Sequence, residues 1–193
     1  MHMTPFVRAA VAFLACGAVL ISCGTTPPAD TPAESAASPG PATEPHTATP
    51  VPGPTATAPV RVERNDAEPA LVTGVRFGRH PSFDRVVVDF QGGVPGYTVR
   101  WVRELHEEGS GRPIDLKGGR ALHIRLVPAN AHTEDGTPTW NGTTVPASGG
   151  ITGIAKTGDF EGVVGIALLA PGVTGFKVTE LAAPPRLVVD VAH

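Results

Sequence analysis

Between Gly24 and Pro59 the chain carries no aromatic residue, no Lys or Arg, and almost nothing large and apolar. Such a stretch cannot bury enough surface to offset its conformational entropy. Folding is therefore confined to roughly 130 residues from Val60 onward, the usual size of a single domain. The net charge is −3, and three acids that account for it, Asp30, Glu34 and Glu44, lie in the unfoldable stretch. The rest is close to neutral, with basic and acidic residues interspersed. A nucleic-acid partner calls for a clustered basic footprint, which this pattern lacks.

Ahead of that stretch stands an export signal. Residues Met1–Arg8 hold one basic side chain, and an apolar run follows from Ala9 to Ser22. The run is too short to span a bilayer, which takes about 20 apolar residues, but it suits the core of a secretory signal. It ends in Leu20-Ile21-Ser22-Cys23, followed by Gly24. The tetrapeptide resembles the bacterial lipobox, in which the small residue admits the backbone to a peptidase and the Cys thiol accepts diacylglycerol. Cys16 is a weaker candidate, because the apolar run before it is only half as long. Cleavage before Cys23 leaves one cysteine and no disulfide. The expected organisation is a signal peptide over 1–22, a lipidated Cys23 with a disordered tether over 23–60, and a folded domain over 61–193. Frequent Pro biases the tether towards polyproline II, with a reach on the order of 100 Å when fully extended. Its Thr-Pro pairs suit O-glycosylation. The chain is expected at the outer face of the bacterial cytoplasmic membrane, reaching towards the wall.

From Leu71 the pattern becomes short apolar runs separated by Gly, Pro and Asp. Strands are predicted at Leu71–Phe77, Arg85–Gln91, Tyr97–Arg103, Ala121–Val127, Ile151–Lys156, Val163–Leu169, Phe176–Leu181 and Arg186–Ala192. Period-two alternation puts Leu122, Ile124 and Leu126 on one face with His123 and Arg125 on the other. Tyr97, Val99 and Trp101 likewise point to one side, towards the core. Many short strands with turn signals between them make an all-β fold, a small sandwich or barrel. Two segments echo each other: Arg85-Val86-Val87-Val88-Asp89-Phe90 and Arg186-Leu187-Val188-Val189-Asp190-Val191. On a strand, Arg85 and Asp89 share a face, as do Arg186 and Asp190, opposite the apolar residues. Cross-strand ion pairs on that face are expected to specify the fold first and to bind ligand second.

These residues, with Leu71-Val72-Thr73-Gly74-Val75-Arg76 before them and Pro184-Pro185 ahead of the closing strand, resemble the AMIN domain. The resemblance is closer to the AMIN-like domain of bacterial lipoproteins, which Glu134–Trp140 and Asp159–Val164 also fit. It covers essentially Leu71 to Ala192. It implies a small antiparallel β-sandwich and a non-catalytic role at the cell wall, with peptidoglycan as the ligand usually proposed. The alternative is a scaffold that recruits an envelope protein.

No cofactor, metal site or catalytic constellation is expected. The histidines His80, His106, His123, His132 and His193 form no motif-spaced pair, and Ser148 has no motif-spaced base. His123 reads as a solvated imidazole, and Glu107-Glu108 as a solvated hairpin tip. Glu134-Asp135 lacks the regular acidic spacing of a calcium loop. The sequon Asn141-Gly142-Thr143 reads as chance. The long polar connection Asn130–Gly150 is the most suggestive segment, because long connections are commonly functional. Trp140 there either stacks on a sugar, flanked by Glu134, Asp135 and Asn141, or folds back over a sheet edge. The candidate ligand residues are thus Trp140, Glu134, Asp135 and Asn141, with the Arg85, Asp89, Arg186 and Asp190 strand faces.

Overall fold

The computed structural model describes residues 51–64, 66–115, 119–142 and 149–193. The signal peptide, Cys23, Ser148 and the tether before residue 51 lie outside the described residues.

Among the described residues twelve strands form: β1 (Val60–Val62), β2 (Ala70–Arg79), β3 (Phe83–Gln91), β4 (Gly96–Val102), β5 (Leu105–His106), β6 (Pro113–Ile114), β7 (Arg120–Val127), β8 (Ala129–Asn130), β9 (Gly153–Phe160), β10 (Val163–Ala170), β11 (Phe176–Ala182) and β12 (Pro185–Ala192). Sheet A runs β1-β4-β7-β10-β9, and sheet B runs β11-β12-β3-β2-β8. All neighbours are antiparallel except β2 and the two-residue β8. The fold is the expected all-β sandwich. Each of the eight predicted strands lies on one of the eight longest.

The sandwich interior holds Val86, Val88 and Phe90 of β3 with Leu187, Val189 and Val191 of β12 on one side. Leu122, Ile124 and Leu126 of β7 with Val164, Ile166 and Leu168 of β10 face them from the other. Alternate residues of each strand supply one inner face, as the period of two requires. On β2 a register shift between Val72 and Gly74 makes Thr73 an extra residue, which lets both Val72 and Val75 turn inward. Tyr97 and Val99 are buried as predicted, and Trp101, partly buried, donates its indole N–H to Thr174 O at 3.0 Å. Asp84, on the inward side of β3, is fully buried and accepts the Ile151 N–H at 2.9 Å.

The packed chain begins earlier than composition indicates. The Ala56 carbonyl accepts the Phe176 N–H at 2.7 Å, and the Ser82 hydroxyl donates to Val51 O. A side chain at Gly175 would overlap Pro54 O. Residues 51–59, assigned by composition to the tether, therefore lie along the domain. An extended Pro-rich segment needs no core of its own when it can borrow the hydrogen bonds of another element.

Candidate functional site

Strand β10 is buried on both faces, with every residue from Val164 to Ala170 inaccessible. Its inward face meets the sandwich core. Its outward face, with Ala121 of β7, is covered by Leu105 of the small β5–β6 hairpin, which forms a second apolar cluster with Ala167 and Leu169. The hairpin lies across the outer face of sheet A like a flap. Beside β5 the sheet surface stays open as a groove of about 590 Å³. Thr98 and Arg100 of β4 and His123 and Arg125 of β7 face this groove, with Arg61 of β1 beside them and Glu104–Glu108 lining the hairpin side.

Small residues let the hairpin tip approach. A Cβ at Gly158 would stand 2.6 Å from Glu108 Cβ, and one at Gly165 would overlap Thr157 Oγ1. The register of β9 against β10 shifts between Gly165 and Ile166, which makes Thr157 an extra residue. Such a bulge re-aims its side chain. Thr157 Oγ1 and His123 Nε2 share a hydrogen bond at 3.1 Å, while the Thr157 carbonyl accepts the Glu108 N–H at 3.3 Å. The Glu108 carboxylate receives Arg125 Nε at 3.2 Å and stands 3.7 Å from His123 Nε2.

This network corrects two sequence expectations. The His123 side chain is only 11% exposed rather than solvated. Its pKa is lowered, chiefly because burial penalises the charged ring and despite the opposing pull of Glu108. Glu108 is not a free hairpin tip but a bridge to β7. Glu107 fits the solvated description better. Its carboxylate accepts Ser110 Oγ at 2.7 Å and Arg112 Nη2 at 2.9 Å, and these bonds hold it below the ordinary carboxylate range.

The four strand-face residues meet on the outer face of sheet B. The β3–β12 register sets Asp190 opposite Arg85 and Arg186 opposite Asp89. Arg85 grips Asp190 with bonds of 2.7 and 2.9 Å, and its guanidinium lies 5.4 Å from the Phe83 ring centre. Asp89 is taken instead by Arg76 of β2, at 2.6 and 2.7 Å, because the bulge in β2 brings Arg76 within reach. That bond holds the Asp89 carboxyl below its usual range. Arg186 contributes only a longer-range attraction to Asp89 and donates to Pro184 O at 3.3 Å. The expected cross-strand pairing is present, and it is largely spent inside the sheet.

Among the described residues of the Asn130–Gly150 connection, the Trp140 ring faces inward. Trp140 is 7% exposed and belongs to the main core, so its ring is packed inside the domain and not open for stacking. Core packing offers that ring more apolar contact than a solvent-facing position does. Glu134 and Asp135 occupy an exposed turn closed by the Gly136 N–H on Thr133 O at 2.8 Å. Hydrogen bonds from Thr133 and Thr137 hold the Asp135 carboxyl below its usual range. His132 Nδ1 bonds Asp159 Oδ2 at 2.7 Å and ties the loop to β9, while Asn141 is exposed. Among the described residues, no three His, Cys, Asp or Glu side chains gather closely enough to hold a metal ion.

A two-layer antiparallel sandwich with a closing Arg-φ-Val-Val-Asp strand defines the class, and comparison with known families agrees. The AMIN-like domain family matches residues 70–193. The chain belongs to the AMIN-like family, which associates it in general terms with the cell wall. No curated protein and no solved structure matches the chain.

Proposed function

We propose that the protein is a non-catalytic envelope lipoprotein whose AMIN-like domain binds cell-wall glycan, peptidoglycan above all. Acyl chains on Cys23 hold it at the outer face of the cytoplasmic membrane, at about 0.8 kcal/mol per buried methylene. The observation that carries the binding reading is the groove of about 590 Å³ on sheet A, open to solvent and lined by Thr98, Arg100, His123 and Arg125. Its floor is a hydrogen-bonded sheet, which fixes the backbone positions from which these donors project. Arginine and hydroxyl donors suit the hydroxyls and carboxyls of a wall polymer. Arginines balanced by Glu104, Glu107 and Glu108 do not make the basic stripe a nucleic acid needs.

The test is co-sedimentation of the detergent-solubilised full chain with purified sacculi. Retention with the sacculi is expected, and identical recovery with and without them overturns the proposal. A second reading, a scaffold for an envelope protein, draws support from Phe160, 49% exposed at the end of edge strand β9. Specific crosslinking through Phe160 in intact cells, with no retention on sacculi, would favour it.

A further inference from the structure

We propose that the groove selects a carboxylate carried on an otherwise neutral wall glycan, with Arg100 as the group that holds it; this rests on the wall-glycan reading above.

The charges around the groove are mostly committed. Arg125 is bound to Glu108 at 3.2 Å. Glu107 is bound to Arg112 at 2.9 Å and to Ser110 at 2.7 Å. Arg61 pairs with Glu63 at 2.5 Å, in a contact so exposed that it contributes little and exchanges easily. His123 shares its ring nitrogen with Thr157. Arg100 differs. It is exposed, it lines the groove, and among the described residues it forms no ion pair or hydrogen bond through its guanidinium.

Its position suits capture of an anion. Arg100 sits in register with His123, and two residues back along the same face Thr98 stands in register with both Arg61 and Arg125. β1 begins at Val60, opposite Val99, so the β1–β4 ladder does not reach Arg100, and Pro59 lines the groove on that side. A guanidinium presents a planar fork that matches a carboxylate with two parallel bonds. Thr98 offers a hydroxyl beside it. On the hairpin side the groove wall carries Glu104, with Glu107 and Glu108 already bound to Arg112 and Arg125. A polymer charged at every repeat would meet that wall with like charge. One isolated carboxylate on a hydroxyl-rich or amide-rich chain satisfies Arg100 without that repulsion.

The experiment measures binding of the detergent-solubilised full chain to three sacculus preparations: untreated, carboxyl-amidated, and stripped of phosphodiester-linked polymers with hydrofluoric acid. The parent is compared with Arg100→Gln, Arg100→Lys and, on the opposite sheet, Arg76→Gln, all checked for an unchanged thermal transition. Arg100→Gln is expected to bind untreated sacculi about tenfold more weakly, the loss of one charge-assisted hydrogen bond. Arg100→Lys is expected to recover part of it, and Arg76→Gln to match the parent. Amidated sacculi should hold the parent no better than the Gln variant, and stripped sacculi should hold it fully. Full binding to amidated sacculi, or full binding by Arg100→Gln, overturns the carboxylate proposal and leaves wall binding standing. Loss only after stripping moves the ligand to phosphate and overturns it equally. No binding to untreated sacculi removes the wall reading and this proposal together.

Discussion

Tyr97 Oη donates a 2.9 Å hydrogen bond to Glu180 Oε1, tying β4 of sheet A to edge strand β11 of sheet B. Arg64 holds the same carboxylate at 2.8 Å and donates to Pro95 O at 2.9 Å. Burial first, and the Glu180 carboxylate second, push the Tyr97 phenol up to about 12 from 10.0. The folded state keeps its proton where the unfolded chain releases it. The stabilisation is complete below pH 10 and is lost as pH rises towards 12. Tyr97 is the sole tyrosine of the chain, so tyrosinate absorbance reports this group alone. The native titration midpoint should lie well above that of the urea-unfolded chain, and coincident midpoints would refute the coupling.

The Arg85–Asp190 pair makes a second prediction. Asp190 is buried, and its carboxylate receives two bonds from Arg85. Arg85→Ala should cost about 1–3 kcal/mol in urea denaturation, because it strands a buried acceptor. Arg85→Met combined with Asp190→Leu should recover most of that loss, since removing both polar partners leaves nothing unsatisfied. A double variant weaker than the sum of the two single ones would contradict this account.

His123 faces Glu108, Thr157, Arg100 and Arg125. Its folded pKa lies below the ordinary 6.5, chiefly through burial. The unfolded chain therefore takes up a proton first on acidification. The contribution of His123 is complete above pH 6.5 and declines as pH falls through that value. The urea midpoint should drop between pH 7.5 and pH 5.5, and His123→Gln should flatten the drop. An equal drop in the variant would assign it to other groups.

Gly165 leaves the room that Thr157 and the hairpin tip occupy. A methyl group there would overlap Thr157 Oγ1 and come within 3.1 Å of Glu108 Cγ. Gly165→Ala should break the His123–Thr157 bond and cost about 1–3 kcal/mol, as overpacking does. Hydrogen exchange should show the Glu108 amide, bonded to Thr157 O at 3.3 Å, opening faster than in the parent. Unchanged protection would mean that the flap does not depend on this contact.

Trp140→Ala should act on the fold, with a cost of about 3–5 kcal/mol, because the ring fills the core. Trp140→Phe should bind sacculi as the parent does. Selective loss of binding in a stably folded Phe variant would restore Trp140 to the ligand site.

The sandwich was legible because its strands obey a period of two. Leu122, Ile124 and Leu126 alternate with His123 and Arg125, and the structure buries the first set completely. The short strands were not legible, since two-residue pairings such as Leu105–Ile114 are fixed by what they cover. The groove left one sequence signal: Val163 to Ala170 does not alternate, and a strand with no polar face has both faces covered. Gly165 and Ala167, small on the outer face, show where the cover must approach. His123 misled because alternation identifies the outward side of a strand but not what lies over it. Thr73 and Thr157 were missed for a related reason. A bulge shifts register by one residue, and apolar periodicity on a single strand does not reveal which partner will hold Asp89 or His123.

The register of Arg85 with Asp190 joins positions 105 residues apart. β12 lies between β3 and β11, so those two strands share no neighbour until β12 arrives. As the chain is made, β3 keeps one edge unpaired until the last strand of the domain follows it. Assembly of sheet B thus needs almost the entire domain, and cleavage ahead of β12 would leave β3 and β11 with no common neighbour. Completion of the sheet is a long-range event, and pairings this far apart in sequence form slowly.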